Sequence, residues 1–123
     1  MFSLEGKTAL VTGATGGIGE SIARALHAQG ATVGLSGRNK DKLDGLAASL
    51  GSRTHVLPAD LAVADAAEKL VSDSIAAMGK IDILINNAGL TKDNLALRMK
   101  DEEWQQVLDV NLTAPFKLAR ACL

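Results

Sequence analysis

The amino-acid sequence predicts an α/β fold in which a parallel sheet carries helices on both faces. Strand-like apolar runs alternate with helical stripes four times along the chain. Those runs are continuous in Val, Ile and Leu rather than interleaved with polar residues, which marks strands covered on both sides. A glycine follows one helical stripe after another, at Gly30, Gly51 and Gly79, as a left-handed stop would.

The elements follow in order. Thr8-Ala-Leu-Val-Thr12 is the first strand, and the cluster Gly13-Ala-Thr-Gly-Gly-Ile-Gly19 leads from it into a helix with apolar positions Ile18, Ile22, Ala25 and Leu26. Ala31 to Ser36 is the second strand; Leu43, Leu46, Ala47 and Leu50 mark the second helix. A third strand runs from Thr54 to Ala59. Leu70, Val71, Ser74, Ile75 and Met78 then share one face of a third helix, and Ile81-Asp-Ile-Leu-Ile85 forms a fourth strand. The segment Asp101 to Leu123 is helical by its stripe Val107, Leu108 and Leu112. Right-handed crossovers arrange four such strands in the order 3-2-1-4, one layer of a doubly wound sheet.

Composition excludes several function classes. The 123 residues amount to one domain, 47% hydrophobic and 22% charged, and neither a repeat nor a linker divides residues 1–123. A net charge of −1 with dispersed Lys and Arg leaves no footprint for nucleic acid or an anionic membrane. The start of the chain, with Glu5 and Lys7, has no basic region ahead of an apolar one, and no apolar run approaches the roughly 18 residues of a membrane span. One cysteine, Cys122, and two distant histidines, His27 and His55, fit the reducing cytoplasm and disfavour a metal site. There is no tyrosine, so no phenol in this chain serves as acid or base.

The glycine cluster joins a strand to a helix, where free backbone N–H groups and the positive end of the helix dipole attract a pyrophosphate. Gly13 turns sharply out of the strand, Gly17 lets a ligand approach the backbone, and Gly19 lets the helix pack on the sheet. The bland alternative is a tight turn. The second strand ends in Ser36-Gly-Arg-Asn39, a cation where an NAD site carries an acid; Arg38 therefore points to a 2′-phosphate and NADP(H), or is a solvated arginine opening a helix. Asp60 and Leu61 offer a carboxylate to the adenine amino group and an apolar wall to its ring, unless Asp60 only closes the turn.

Asn86-Asn-Ala-Gly89 follows the fourth strand at the sheet's carboxyl edge, where Ala88 and Gly89 leave room for a cofactor ribose. Paired asparagines also occur in plain turns. Asn111 lies inside an apolar helical pattern four residues before Pro115, whose missing N–H frees the Asn111 carbonyl to bind water and kinks the helix. That suits a proton-relay anchor, or a simple helix break. His27, His55, Trp104 and Cys122 read as packing or solvated residues.

Together, Thr12-Gly-Ala-Thr-Gly-Gly-Ile-Gly19, Asp60-Leu61, Asn86-Asn-Ala-Gly89 and Asn111 resemble the short-chain dehydrogenase/reductases over the whole chain. The run Leu90-Thr-Lys-Asp-Asn-Leu-Ala-Leu-Arg-Met-Lys-Asp-Glu-Glu-Trp104, with Asn111-Leu112, is similar to the family's 3-oxoacyl-[acyl-carrier-protein] reductase branch. The resemblance implies NADPH-dependent reduction of a 3-oxoacyl thioester on acyl carrier protein to the (R)-3-hydroxyacyl thioester in fatty acid synthesis, by a homo-oligomer. It assigns Gly13, Ala14, Thr15, Gly16 and Ile18 to the pyrophosphate, Arg38 to the 2′-phosphate, Asp60 and Leu61 to adenine, and Asn87 to the cofactor ribose. Asn111 matches the family's catalytic relay asparagine. The Ser and Tyr-x-x-x-Lys of the family's mechanism match nothing here, so the expectation is an NADP-binding half of a Rossmann-type fold, inactive by itself. Two other functions fit the residues: another short-chain alcohol or ketone reductase, and a non-enzymatic nucleotide-binding or assembly fragment.

Overall fold

A computed structural model of the protein describes residues 3–87, 101, 102, 105 and 113–122. Its elements are β1 (Thr8–Val11), α1 (Gly17–Ala28), β2 (Thr32–Leu35), α2 (Lys40–Leu50), β3 (Thr54–Val56), α3 (Ala66–Met78), β4 (Ile83–Ile85) and α4 (Ala114–Cys122). All strand pairs are parallel and the order is β3-β2-β1-β4. This is the Rossmann-type layer expected, with the connections crossing over as helices.

The central strand β1 is buried throughout, and successive residues feed opposite faces. Leu10 packs with Leu57, Leu70, Val71 and Leu118, under α3 and α4. Val11 packs with Ala23, Val33, Leu35, Leu43 and Leu46, under α1 and α2. Two apolar layers thus sandwich the sheet. The strands β3 and β4, at the two ends of the sheet, are only half-buried, which departs from the double-sided burial expected of every strand.

In α1 the contact stripe differs from the one read off the sequence. Gly19 and Ala23 are its buried residues; Ile22 and Leu26 flank them half-buried, while Ala25 is exposed. The reason is clearance. A Cβ on Gly19 would collide with the Gly13 carbonyl, so the helix lies close enough to the sheet for small side chains alone at one contact point. α1 ends as its sequence suggests: Gly30 has φ +103°, its N–H donates to the His27 carbonyl at 3.0 Å, and the Ala31 N–H donates to Leu26 at 3.2 Å.

α3 buries Ala67, Leu70, Val71 and Ser74, with Ile75 left 45% exposed on its outer side. The third and fourth strands are shorter than expected, although single bonds flank them: the Leu57 and Ala59 N–H groups donate to the Leu35 and Gly37 carbonyls at 2.9 and 3.0 Å, and the Asp82 N–H to Thr8 at 3.0 Å. Of the final helical segment, Asp101, Glu102 and Gln105 are helical and α4 begins at Ala114, with Pro115 in its first turn. Among the described residues, no helix is long and apolar enough to cross a membrane.

Candidate functional site

The carboxyl ends of β1, β2 and β4 converge on the glycine turn. Gly13 has φ +62°, the left-handed conformation a sharp exit from β1 requires. The Ala14 N–H donates to the Ser36 carbonyl at 3.0 Å, tying the turn to the end of β2, and the Gly16 N–H donates to Gly13 at 3.2 Å. Gly16 caps α1 in an extended conformation, and no side chain supplies a capping bond. First-turn amides of a helix have no intrahelical acceptor, so this terminus retains unsatisfied donors and a positive potential that Glu20, in the first turn and paired with Arg24, offsets only in part. Beside it, a Cβ on Gly17 would meet nothing within 4 Å, and Ile18 is 72% exposed. An open turn with an uncapped helix and an exposed apolar side chain fits a dinucleotide pyrophosphate.

A second set of bonds fixes the turn to β4. The Asn87 N–H donates to Thr12 Oγ1 at 3.0 Å, Thr12 Oγ1 donates to the Ile85 carbonyl at 3.2 Å, and Asn87 Nδ2 donates to the Gly13 carbonyl at 3.3 Å. Thr12 is buried and polar, so these bonds satisfy its hydroxyl while locking two strand ends together. The sequence marks Thr12 only as the start of a motif; its role as a clamp depends on a partner 75 positions away. Asn86 Nδ2 reaches the Pro115 carbonyl at 3.5 Å, which brings the start of α4 to the same edge.

Arg38 stands exposed just past β2, on the rim of an open cavity of about 460 Å³ shared with Asn39, Lys40 and Asp41. Asn39 caps α2 by accepting from the Lys42 N–H at 3.2 Å. Asp60 closes its turn: Oδ1 accepts from the Ala62 N–H at 3.0 Å, and its carbonyl accepts from Val63 at 3.0 Å. Leu61 is only 8% exposed and packs in the core under α3 and α4, so its side chain belongs to the interior rather than to a ring-binding wall. Ala88, Gly89, Asn111 and, apart from Asp101 and Glu102, the run from Leu90 to Trp104 lie outside the described residues.

Several other titratable groups lie away from the turn. His27 Nε2 lies 2.7 Å from the Ser52 carbonyl, near Arg53, whose guanidinium donates to the carbonyls of Ala31 at 2.7 Å and His27 at 3.3 Å. At the opposite edge of the sheet, Asp82 accepts from the Thr8 N–H at 2.9 Å and pairs with Lys80 at 3.1 Å. The Thr8 amide, with Lys80, holds the Asp82 carboxyl below its ordinary value. Burial pushes the Cys122 thiol up, so it is a protonated packing group at neutral pH. No cluster of metal-ligating side chains occurs among the described residues.

Comparison with known proteins agrees with this geometry. The chain is 56% identical over 120 residues to nodulation protein G of a Rhizobium species, which covers 98% of this chain and 49% of that protein. It is 46% identical to the 3-oxoacyl-[acyl-carrier-protein] reductase FabG of Rickettsia bellii over 123 residues, 100% of this chain and 49% of the relative. The chain therefore spans about half the length of the curated relatives it matches. Among solved structures, a short-chain dehydrogenase/reductase from Brucella melitensis superimposes with a TM-score of 0.91 at 38% identity, covering 98% of this chain and 52% of that one. A blue fluorescent protein from a metagenomic library, solved with NADPH, has a TM-score of 0.91 at 30% identity, covering 98% of this chain and 51% of that one. The sequence profile of the short chain dehydrogenases matches residues 7–123, and the protein belongs to that family of oxidoreductases.

Proposed function

We propose that this chain is the NADP(H)-binding part of an NADPH-dependent 3-oxoacyl-[acyl-carrier-protein] reductase, and that the 123 residues by themselves do not turn over substrate. One observation carries the cofactor half of the reading: an open, uncapped glycine turn bonded to the ends of β2 and β4, with Arg38 at the adjoining rim. Its kinship with FabG proteins, and the NADPH and NADP complexes among its structural neighbours, support the choice of cofactor and substrate class.

In this reading the amides around Gly13, Ala14, Thr15 and Gly16 receive the pyrophosphate, and Ile18 covers it. Arg38 pairs with the 2′-phosphate through its planar fork. Asp60 spends one carboxylate oxygen on its own turn and offers the other to the adenine amino group, while Leu61 contributes main chain. Asn87, with Ala88 and Gly89, borders the nicotinamide ribose, and its grip on Gly13 keeps the turn in place as the ligand enters. Asn111 is the relay asparagine, holding a water through its carbonyl.

The dinucleotide, when bound, supplies the hydride. The ketone oxygen also requires a proton, and this chain has no tyrosine to deliver it. A positioned general acid contributes about 10²–10⁴-fold, and the isolated chain lacks that contribution. NADPH oxidation with acetoacetyl-CoA tests this. No turnover above background is expected, and measurable turnover by a chain whose mass ends at Leu123 overturns it.

The higher identity to nodulation protein G than to FabG, 56% against 46%, favours a second reading, a reductase of the same family acting on a different ketone. Both readings require NADP(H). A chain that binds no nucleotide is instead a structural or assembly fragment.

A further inference from the structure

Among the described residues four polar side chains are buried: Thr8, Thr12, Ser36 and Ser74. Three of them use their hydroxyls within the fold. Thr8 Oγ1 donates to the Lys80 carbonyl at 2.7 Å, Thr12 Oγ1 to Ile85 at 3.2 Å, and Ser74 Oγ to Leu70 at 2.6 Å. Ser36 is only 1% exposed, yet its hydroxyl has no hydrogen-bond partner among the described residues. No fully enclosed side-chain oxygen or nitrogen there lacks a partner, so the sliver of Ser36 that stays exposed is its hydroxyl. A hydroxyl shielded in this way and left unbonded costs free energy, and a ligand that bonds to it removes that cost.

The main chain of Ser36 lies between two turns. Its N–H donates to the Val11 carbonyl at 2.9 Å, one step past the Val11–Leu35 pair of the ladder, and its carbonyl accepts from Ala14 in the glycine turn at 3.0 Å. On the other side, the Ala59 N–H donates to the Gly37 carbonyl at 3.0 Å, bringing the Asp60 turn alongside. Leu35 packs towards α1 and α2, whereas a Cβ on Gly34 would meet Leu10, Leu57 and Met78 on the opposite face. Side chains alternate along a strand, so Ser36 shares the face of Gly34, on the α3 side. Its hydroxyl therefore lies at the carboxyl edge, between the turn assigned to the pyrophosphate and the turn assigned to adenine.

We infer that Ser36 Oγ hydrogen-bonds the adenosine part of the dinucleotide, the sugar and base that span these two turns. The inference rests on the NADP(H) reading above. NADPH and NADH share the adenosine, so Ser36 supports both equally, unlike Arg38 at the 2′-phosphate.

The test is a fluorescence titration of the full 123-residue chain with NADPH and with NADH, paired with urea unfolding without nucleotide, for wild type, Ser36→Ala, Ser36→Cys and Ser74→Ala. Ser36→Ala is expected to weaken both nucleotides by the same factor, roughly three- to tenfold, without lowering the urea midpoint, because no bond within the protein is lost. Ser36→Cys, of nearly the same shape with only a weak donor, is expected to weaken both as well and decides the question if the alanine variant does not fold. Ser74→Ala, the control, is expected to lower the midpoint and leave both affinities unchanged. Unchanged affinities, a loss confined to one nucleotide, or a midpoint lowered as in Ser74→Ala overturns the role of Ser36 while the cofactor reading stands. A wild-type chain that binds neither nucleotide overturns both.

Discussion

A single glycine determines how closely α1 approaches the sheet. Gly19 faces the Gly13 carbonyl, and a Cβ there would also stand 2.7 Å from Asn87 Nδ2. Gly19→Ala should therefore disturb the clamp and the pyrophosphate turn together, with a loss of roughly 1–3 kcal/mol in chemical denaturation, the usual range for overpacking. Gly17→Ala, with open space around its Cβ, should stay within about 1 kcal/mol of wild type. At the far edge, the carboxylate of Asp82 is bonded to the Thr8 amide and to Lys80, which lowers its affinity for protons in the folded state. A carboxyl depressed on folding stabilises the protein above its unfolded value and loses that contribution as the pH falls towards the folded one. Asp82→Asn should thus be less stable than wild type at pH 7, and the difference should shrink as the pH falls below the ordinary value of 3.8. Urea unfolding of both proteins at pH 7 and pH 3 checks this; a difference independent of pH would contradict it.

At the level of elements, type and order are legible because their signals are local. Gly30, Gly51 and Gly79 all have positive φ at helix ends, and the continuous apolar runs of β1 and β2 are the two strands in the middle of the sheet. What local pattern does not carry is which side of a helix meets its neighbour, and what long-range bonds do. Ile18 and Ala25 match a helical stripe yet face outward, because Gly19 and Ala23 permit the closer approach. Leu61 reads as ligand-facing and is core; Thr12, Asn87 and Gly13 form a clamp whose members are far apart in sequence. The same holds for Arg53, which adopts φ +60° and sends its guanidinium across to the carbonyls of His27, in the last turn of α1, and of Ala31 just beyond it. A cation there meets the negative end of the helix dipole and adds a donor to carbonyls of the last turn. Arg53→Ala should cost about 1 kcal/mol in thermal or chemical unfolding, and no change would show that solvent satisfies those carbonyls equally well.

On the scale of the whole molecule, the four-stranded sheet carries α1 and α2 on one face and α3 and α4 on the other, and its carboxyl edge gathers the candidate site. The site was legible where a motif is continuous, as in the glycine turn, and the described residues then add the bonds that fix it in place. Among the described residues the sheet ends at β4, a short apolar strand, and α4 leaves Phe116 61% exposed with Arg120 5.1 Å over its ring. An apolar edge with no partner strand among those residues invites association, so sedimentation should show dimers or larger species that grow with concentration; a monomer at every concentration would contradict this.

The central claim is that the glycine turn and Arg38 form one site for a 2′-phosphorylated dinucleotide, and nucleotide titration of wild type and Arg38→Ala tests it most directly. Saturable NADPH binding is expected, weakened about tenfold by Arg38→Ala with NADH affinity unchanged. Absence of saturable NADPH binding, or an Arg38→Ala protein that binds NADPH as wild type does, would contradict it.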